Sequence, residues 1–311
     1  MNRFNFQGEH IREQYFEGWY VKTIDSNNDL SIALIPGVAH FSENESFVQY
    51  NINYKGQSYS GKITFPREHF SIVGDPQTIA LPKFVLNERG VMGSLSDSGN
   101  RIVFDLDFGV FTPIKETVYS PSIMGPFEYL KMPCSHDVIS MKHSVTGTVF
   151  VNGEKVVIEN GSGYIEKDRG STFPSKYVWA QANNFSENNK ASLFLSVAQI
   201  EKSALDFIGT IAVFHDGIEE HRFATYLGTR VNVEVDYQKN QYTVTLRNPR
   251  KKLEVWVRLA NEMSLIAPMK NEMDYAIKET VKSDITLKFS NADLEAVHLT
   301  TENGAAELVN W

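Results

Sequence analysis

At 311 residues, 42% of them hydrophobic and with 20 Phe and 13 Tyr, the chain exceeds the length at which a single core keeps growing, so two domains of about 150 residues are expected. A net charge of −8 without a cluster of Lys and Arg argues against nucleic acid and anionic membrane surfaces as partners. Cys134 is the single cysteine, which excludes an internal disulfide and any multi-Cys zinc site.

In chain order, residues 1–18 carry charges every few positions and no apolar core. They read as neither a signal peptide nor a transmembrane segment, so a cytoplasmic location is expected. From there the periodicity is that of strands. Leu30–Ile35, Arg101–Leu106, Gly147–Val151 and Gln241–Leu246 are short and rich in β-branched and aromatic residues. Turn signals separate them at Asp25–Asp29, Tyr54–Gln57, Asp97–Asn100 and Gln238–Gln241. The clearest hairpin is at Asn152-Gly153, a pair that takes positive φ at both central positions. Thr112–Pro133 holds four prolines in an aromatic, poorly periodic stretch; it reads as a long ordered loop over a barrel mouth. The basic run Arg247–Lys252 falls at a turn and reads as a solvated loop. Helical periodicity shows only in Met263–Val281, where Pro268 interrupts it. The chain is therefore all-β, built of many antiparallel strands in barrels or sandwiches. A polar, Gly-containing link at Glu159–Ser162 sets the expected domains as 1–162 and 163–311.

The richest chemistry lies in Gly163–Asn183. Glu166, Lys167, Asp168 and Arg169 precede a Gly/Pro turn and an aromatic strand, and ions so close to large rings are tolerated only when paired. Along that strand Tyr177, Trp179, Gln181 and Asn183 share one face, while Val178, Ala180 and Ala182 share the other. An aromatic face with amide groups suits a ligand pocket or a core strand with satisfied polar groups. Glu166 and Asp168 share strand parity and are the candidate proton donors. His136 and His143 fall on opposite faces of a regular strand, which suits structural or substrate-contact roles and makes no metal pair. Cys134 and His136, two apart on one strand, lie beyond hydrogen-bond reach of each other as a catalytic dyad. There is no phosphate-binding Gly-rich loop, no Gly-x-Ser-x-Gly elbow and no dinucleotide fingerprint, so no cofactor is expected.

Tyr15–Lys22, Gly163–Pro174 and Tyr177–Asn183, in that order and spacing, resemble the tocopherol cyclase-like family, which includes the carotenoid hydratase-like proteins of the calycin superfamily. Cys134–His143 with the following hairpin, Leu265–Pro268 and Asp293–Val297 extend the resemblance over nearly the whole chain. It implies two lipocalin-like antiparallel β-barrel domains packed side by side, with a pocket near their junction. It also implies cofactor-independent cyclase, hydratase or isomerase chemistry on a hydrophobic polyene or prenylated small molecule. Gly18-Trp19 is similar to the motif that opens lipocalin barrels, so Trp19, and Trp179 as its counterpart, are expected to plug barrels ahead of contacting the ligand. Glu17, Trp19, His136, His143, Arg169, Tyr177, Trp179, Gln181 and Asn183 form the expected ligand-contact set around Asp168 and Glu166.

Many relatives carry Trp where this chain has Arg169. A guanidinium paired with Asp168 or Glu166 would keep that carboxylate ionised and weaken it as an acid; pairing across domains with Glu17 would leave Asp168 free. The alternatives to catalysis are a lipocalin-like carrier of an apolar ligand and a structural protein whose charged motif staples two domains.

Overall fold

The computed structural model describes residues 2–202, 205–270, 272–292 and 294–311. Asp293, at the head of the Asp293–Val297 stretch, lies outside them. Regular structure is almost entirely antiparallel strand. The first sheet is made of β1 (Tyr15–Asp25), β2 (Leu30–His40), β3 (Asn44–Tyr54), β4 (Gln57–Pro66), β5 (Ser71–Val73), β6 (Thr78–Leu81), β7 (Phe84–Asn87), β8 (Gly90–Ser96), β9 (Arg101–Phe108), β10 (Cys134–Val151) and β11 (Glu154–Gly170). The second comprises β12 (Tyr177–Ala182), β13 (Ser192–Lys202), β14 (Leu205–His215), β15 (Glu220–Ala224), β16 (Arg230–Asp236), β17 (Gln241–Arg247), β18 (Lys251–Arg258), β19 (Met263–Met269), β20 (Glu272–Asn291) and β21 (Leu294–Val309).

Each sheet is a meander whose first strand pairs with its last, β1 with β11 and β12 with β21. Each curls into a half-barrel around its own core, which is the lipocalin-like, all-β architecture the sequence resembles. Alternation builds those cores: Ile102, Phe104 and Leu106 of β9 point into the first, Tyr242, Val244 and Leu246 of β17 into the second, and the residues between them face outward. Asn152 and Gly153 take φ of 51° and 91° and join β10 to β11 in the expected tight hairpin.

Two stretches differ from the sequence reading. Met263–Met269 and Glu272–Val281 are strand, in β19 and β20, because in this all-β setting alternate positions of β20 such as Ile277, Glu279 and Val281 are buried and ladder pairing overrides a weak helical period. The link at 159–162 lies inside β11, which runs unbroken to Gly170. The chain divides into two compact units that are not contiguous in sequence: residues 1–114, 132–173 and 264–276, and residues 115–131, 174–263 and 277–311. The Pro-rich stretch is ordered within the second unit, where Arg222 donates to the Ser120 hydroxyl at 2.5 Å and to the Lys115 carbonyl at 2.6 Å, and Tyr226 donates to the Ile123 carbonyl at 3.1 Å.

Candidate active site

β11 sorts its charges by the pleat. Ile165, Lys167 and Arg169 point into the first half-barrel; Tyr164, Glu166 and Asp168 point away from it. On the inner face the Lys167 ammonium meets the Glu17 carboxylate at 2.8 Å, both side chains fully buried. Glu17 also accepts the Tyr15 hydroxyl at 2.6 Å and the backbone N–H groups of Gln7 and Gly8. Lys167 donates to the Asn5 carbonyl at 2.7 Å and stands 5.6 Å from the centroid of the Trp19 ring. Burial pushes the Lys167 pKa down, and Glu17 works against that shift. Trp19 is fully buried and donates to the Phe4 carbonyl at 2.9 Å. Residues 3–8 therefore seal this end of the core, with Phe6 and Phe70 packed on the indole.

Arg169 pairs with Asp137, which also takes Arg3 at 3.4 Å. Among the described residues, the alternative pairing of Arg169 with Glu17 is not made. Glu17 is opposite Arg169 in the ladder and in the same unit, but Lys167 and Tyr15 already occupy its carboxylate. By strand parity Arg169 points to the opposite face of β11 from Glu166 and Asp168.

The outer face gathers the reactive groups. His136 of β10 lies opposite Asp168 of β11. Its Nδ1 is 2.7 Å from Asp168 Oδ1 and its Nε2 is 3.2 Å from Glu166 Oε2. Tyr164 donates its hydroxyl to Glu166 at 2.5 Å, and the Cys134 thiol lies 3.7 Å from Asp168. Burial alone would lower the His136 pKa, but the two carboxylates reverse that effect and hold it well above 6.5. The resting cluster is thus an imidazolium clamped between carboxylates. Burial, reinforced by Asp168, pushes the Cys134 thiol up, so Cys134 is a neutral donor and not a thiolate nucleophile. Ligand atoms of His136, Glu166 and Asp168 lie within 4.8 Å of one another, so the same triad has the donor set for a divalent cation.

Beside this cluster the sheet has a bare floor. Gly18 lies directly opposite Asp168 on β1, is the one position of that strand not buried, and has no side chain within 4 Å of where a Cβ would stand. An apolar patch borders it, in which Phe16, Ala39 and Phe47 pack with Ile35, Phe173 and Cys134. Phe16 meets Phe173 edge-on at 5.3 Å.

The other expected residues lie elsewhere. His143 points into the first half-barrel, its ring 4.9 Å from Phe108 and 4.8 Å from Phe111, with Nδ1 2.9 Å from the Ser140 hydroxyl. Burial, with a smaller contribution from Lys142, lowers its pKa to about 3. A group neutral when folded but protonated near 6.5 when unfolded stabilises the fold fully above 6.5 and loses that contribution as pH falls toward 3. The wild type is expected to lose about 2–3 kcal/mol more than His143→Gln between pH 7.5 and pH 4.5. Urea denaturation at the two pH values measures this, and equal losses in both proteins would contradict it.

Trp179 is not a barrel plug. Val178, Ala180 and Ala182 of β12 line the second core, so Tyr177, Trp179 and Gln181 face away from it. On that face Tyr177 donates to Glu307, while Gln181 and Asn183 are fully buried. Three residues escaped the sequence reading: Tyr164 and Gly18 at the His136 cluster, and, in the second unit, Glu307 as the partner of Tyr177. Tyr164 shares parity with Glu166 and could have been read from the motif; Glu307 is 130 residues from its partner, with no motif around it.

Two curled antiparallel sheets, each closing its first strand on its last, define a protein of two lipocalin-like barrels. Residues 113–308 match the family model described as tocopherol cyclase-like, and the chain belongs to that family. Solved structures share the fold at low identity. CghA with Sch210972 has a TM-score of 0.61 at 8% identity, covering 95% of this chain and 88% of that one. Kievitone hydratase from Nectria haematococca has 0.56 at 8%, covering 94% and 88%. An AttH-like protein of Nitrosomonas europaea has 0.54 at 11%, covering 94% and 92%. No curated protein matches the chain in sequence. Among the described residues no helix is long and apolar enough to cross a membrane.

Proposed function

We propose that this protein is a cofactor-independent cyclase, hydratase or isomerase that protonates an unsaturated hydrophobic small molecule, a polyene or a prenylated compound, over the floor at Gly18. The observation that carries this reading is His136, held between Asp168 and Glu166 at 2.7 and 3.2 Å, with Gly18 across the ladder from Asp168 and an aromatic patch nearby. His136 supplies the proton to a double bond, and Phe16 and Phe173 offer π-faces to the positive charge that develops. The cation is then quenched by water, by an internal hydroxyl or by loss of a neighbouring proton, with Asp168 or Glu166 accepting the proton released. One proton enters and one leaves, so no redox partner is required. Asp168 and Glu166 thus hold and recover the proton that the sequence reading had them donate.

The family's cyclase name and the hydratase name of one structural neighbour both denote additions to unsaturated centres. A carrier of the lipocalin kind would need an open first barrel, where Phe4, Phe6, Trp19 and Phe70 instead pack ring on ring.

The test is incubation with a panel of polyenes and prenylated phenols in D2O, read by mass spectrometry. The expected product carries one solvent deuterium on carbon, formed at an unchanged rate in EDTA. Quantitative recovery of unaltered ligand would favour the carrier, and loss of turnover in EDTA would assign the triad to a metal.

A further inference from the structure

We infer a second binding site, for a short acidic oligosaccharide, on the outward face of β16, β17 and β18. It lies wholly within the second unit and does not depend on the reaction proposed at His136. The alternation that buries Tyr242, Val244, Leu253 and Val255, and partly buries Val231 and Val233, turns three rows outward across these strands. They frame an open groove of about 570 Å³.

The first row is Arg230, Arg247 and Lys252, directly opposite one another on adjacent strands. Like charges so placed oppose folding. Lys252 is relieved by Glu254 at 2.6 Å, but among the described residues neither Arg230 nor Arg247 has an ion-pair partner. Two unneutralised guanidiniums side by side form a bidentate receptor for a carboxylate or sulfate. The second row, Asn232, Thr245 and Glu254, offers amide, hydroxyl and carboxylate groups. The third is Glu234, Thr243 and Trp256, whose indole is 39% exposed on the sheet surface.

Successive rows are two residues apart along each strand, so cations and indole stand about 13 Å apart, the span of two or three linked pyranose rings. An exposed indole presents a flat apolar face for the C–H face of a sugar ring. The carboxylates of Glu234, held by Asn232 at 2.8 Å, and of Glu254 accept from hydroxyl groups and repel a polyphosphate. Hydroxyls along the middle with an acid group at one end match this lining. An apolar chain would strand the groove's polar groups.

The intact protein can be titrated by calorimetry and tryptophan fluorescence at low salt with trisaccharides carrying a single terminal uronate, glucuronosyl-xylobiose and glucuronosyl-maltose, using maltotriose and tripolyphosphate as controls. At least one uronate trisaccharide is expected to bind about tenfold or more tighter than either control. Trp256→Ala and the double variant Arg230→Gln/Arg247→Gln are each expected to weaken that binding about tenfold. The double variant should melt no lower than wild type, because its repulsion is relieved. No binding of any uronate at about 10 mM, tripolyphosphate binding as well as the uronates, or binding indifferent to both variants would overturn the inference.

Discussion

His136→Gln is expected to lower turnover by about 10²–10⁴-fold, the usual contribution of a positioned general acid. Glutamine can keep one hydrogen bond to the carboxylates, so far-UV circular dichroism should be unchanged while chemistry is lost. The pH profile supplies an independent test. The two carboxylates raise the His136 pKa well above 6.5, so the acid form persists through neutrality and its loss should lower activity on the alkaline side. The sign for stability is the same: the clamp's contribution is complete below 6.5 and disappears as pH rises through the raised folded value. Following the His136 ring protons by NMR during a pH titration locates that value directly. Wild-type turnover in His136→Gln, or an alkaline decline with its midpoint below pH 6.5, would remove His136 from the donor role.

Lys167→Met is expected to cost about 3–5 kcal/mol, because it leaves the Glu17 carboxylate buried without its cation. The double variant Glu17→Gln/Lys167→Met should recover much of that loss, since a neutral amide can still accept from Tyr15 and from the N–H groups of Gln7 and Gly8. Urea denaturation of both variants measures the difference. A double variant no more stable than Lys167→Met would mean that packing around the Lys167 stem, and not the stranded charge, sets the loss. Residues 3–8 should also become more open to protease in Lys167→Met, because the bond from Lys167 to the Asn5 carbonyl is removed.

Strand periodicity and turn chemistry were legible because they are local. Asn152-Gly153 has one comfortable conformation, and the alternation in β9 and β17 leaves one face apolar. Gly163–Arg169 announced itself because alternating ions beside aromatic residues have few stable settings, and the parity of Glu166 with Asp168 followed from the pleat. His136 was legible as a candidate contact, but its place opposite Asp168 was not. Counting back in step from Val151 opposite Glu154 would set His136 opposite Arg169, on the wrong face of the partner strand. Irregularities between Val145 and Gly147, between Ser140 and His143, and between Val138 and Ser140 shift the ladder so that it meets Asp168. No residue type marks those bulges reliably. The fate of Arg169 was hidden for a related reason: its partner Asp137 adjoins His136 on β10, so it depends on the same shifted register. Gly18 shows a further limit, since a glycine in a strand looks alike in sequence whether a neighbour fills the space above it or not.

The topology bears on how the chain is made. β1 leaves the ribosome well before β11, so its hydrogen-bonding edge stays bare until residues 162–170 have been synthesised, and β12 waits in the same way for β21. Both half-barrels thus depend on pairings more than 100 residues apart in sequence, the sort of contact that slows folding and leaves strand edges open to other chains. The buried ions Glu17 and Lys167 sit on the two strands that must find each other. While unpaired they keep those edges charged and soluble, and they lose their hydration only when the correct ladder brings them together, which makes the ion pair a gatekeeper against premature association as well as a feature of the finished fold.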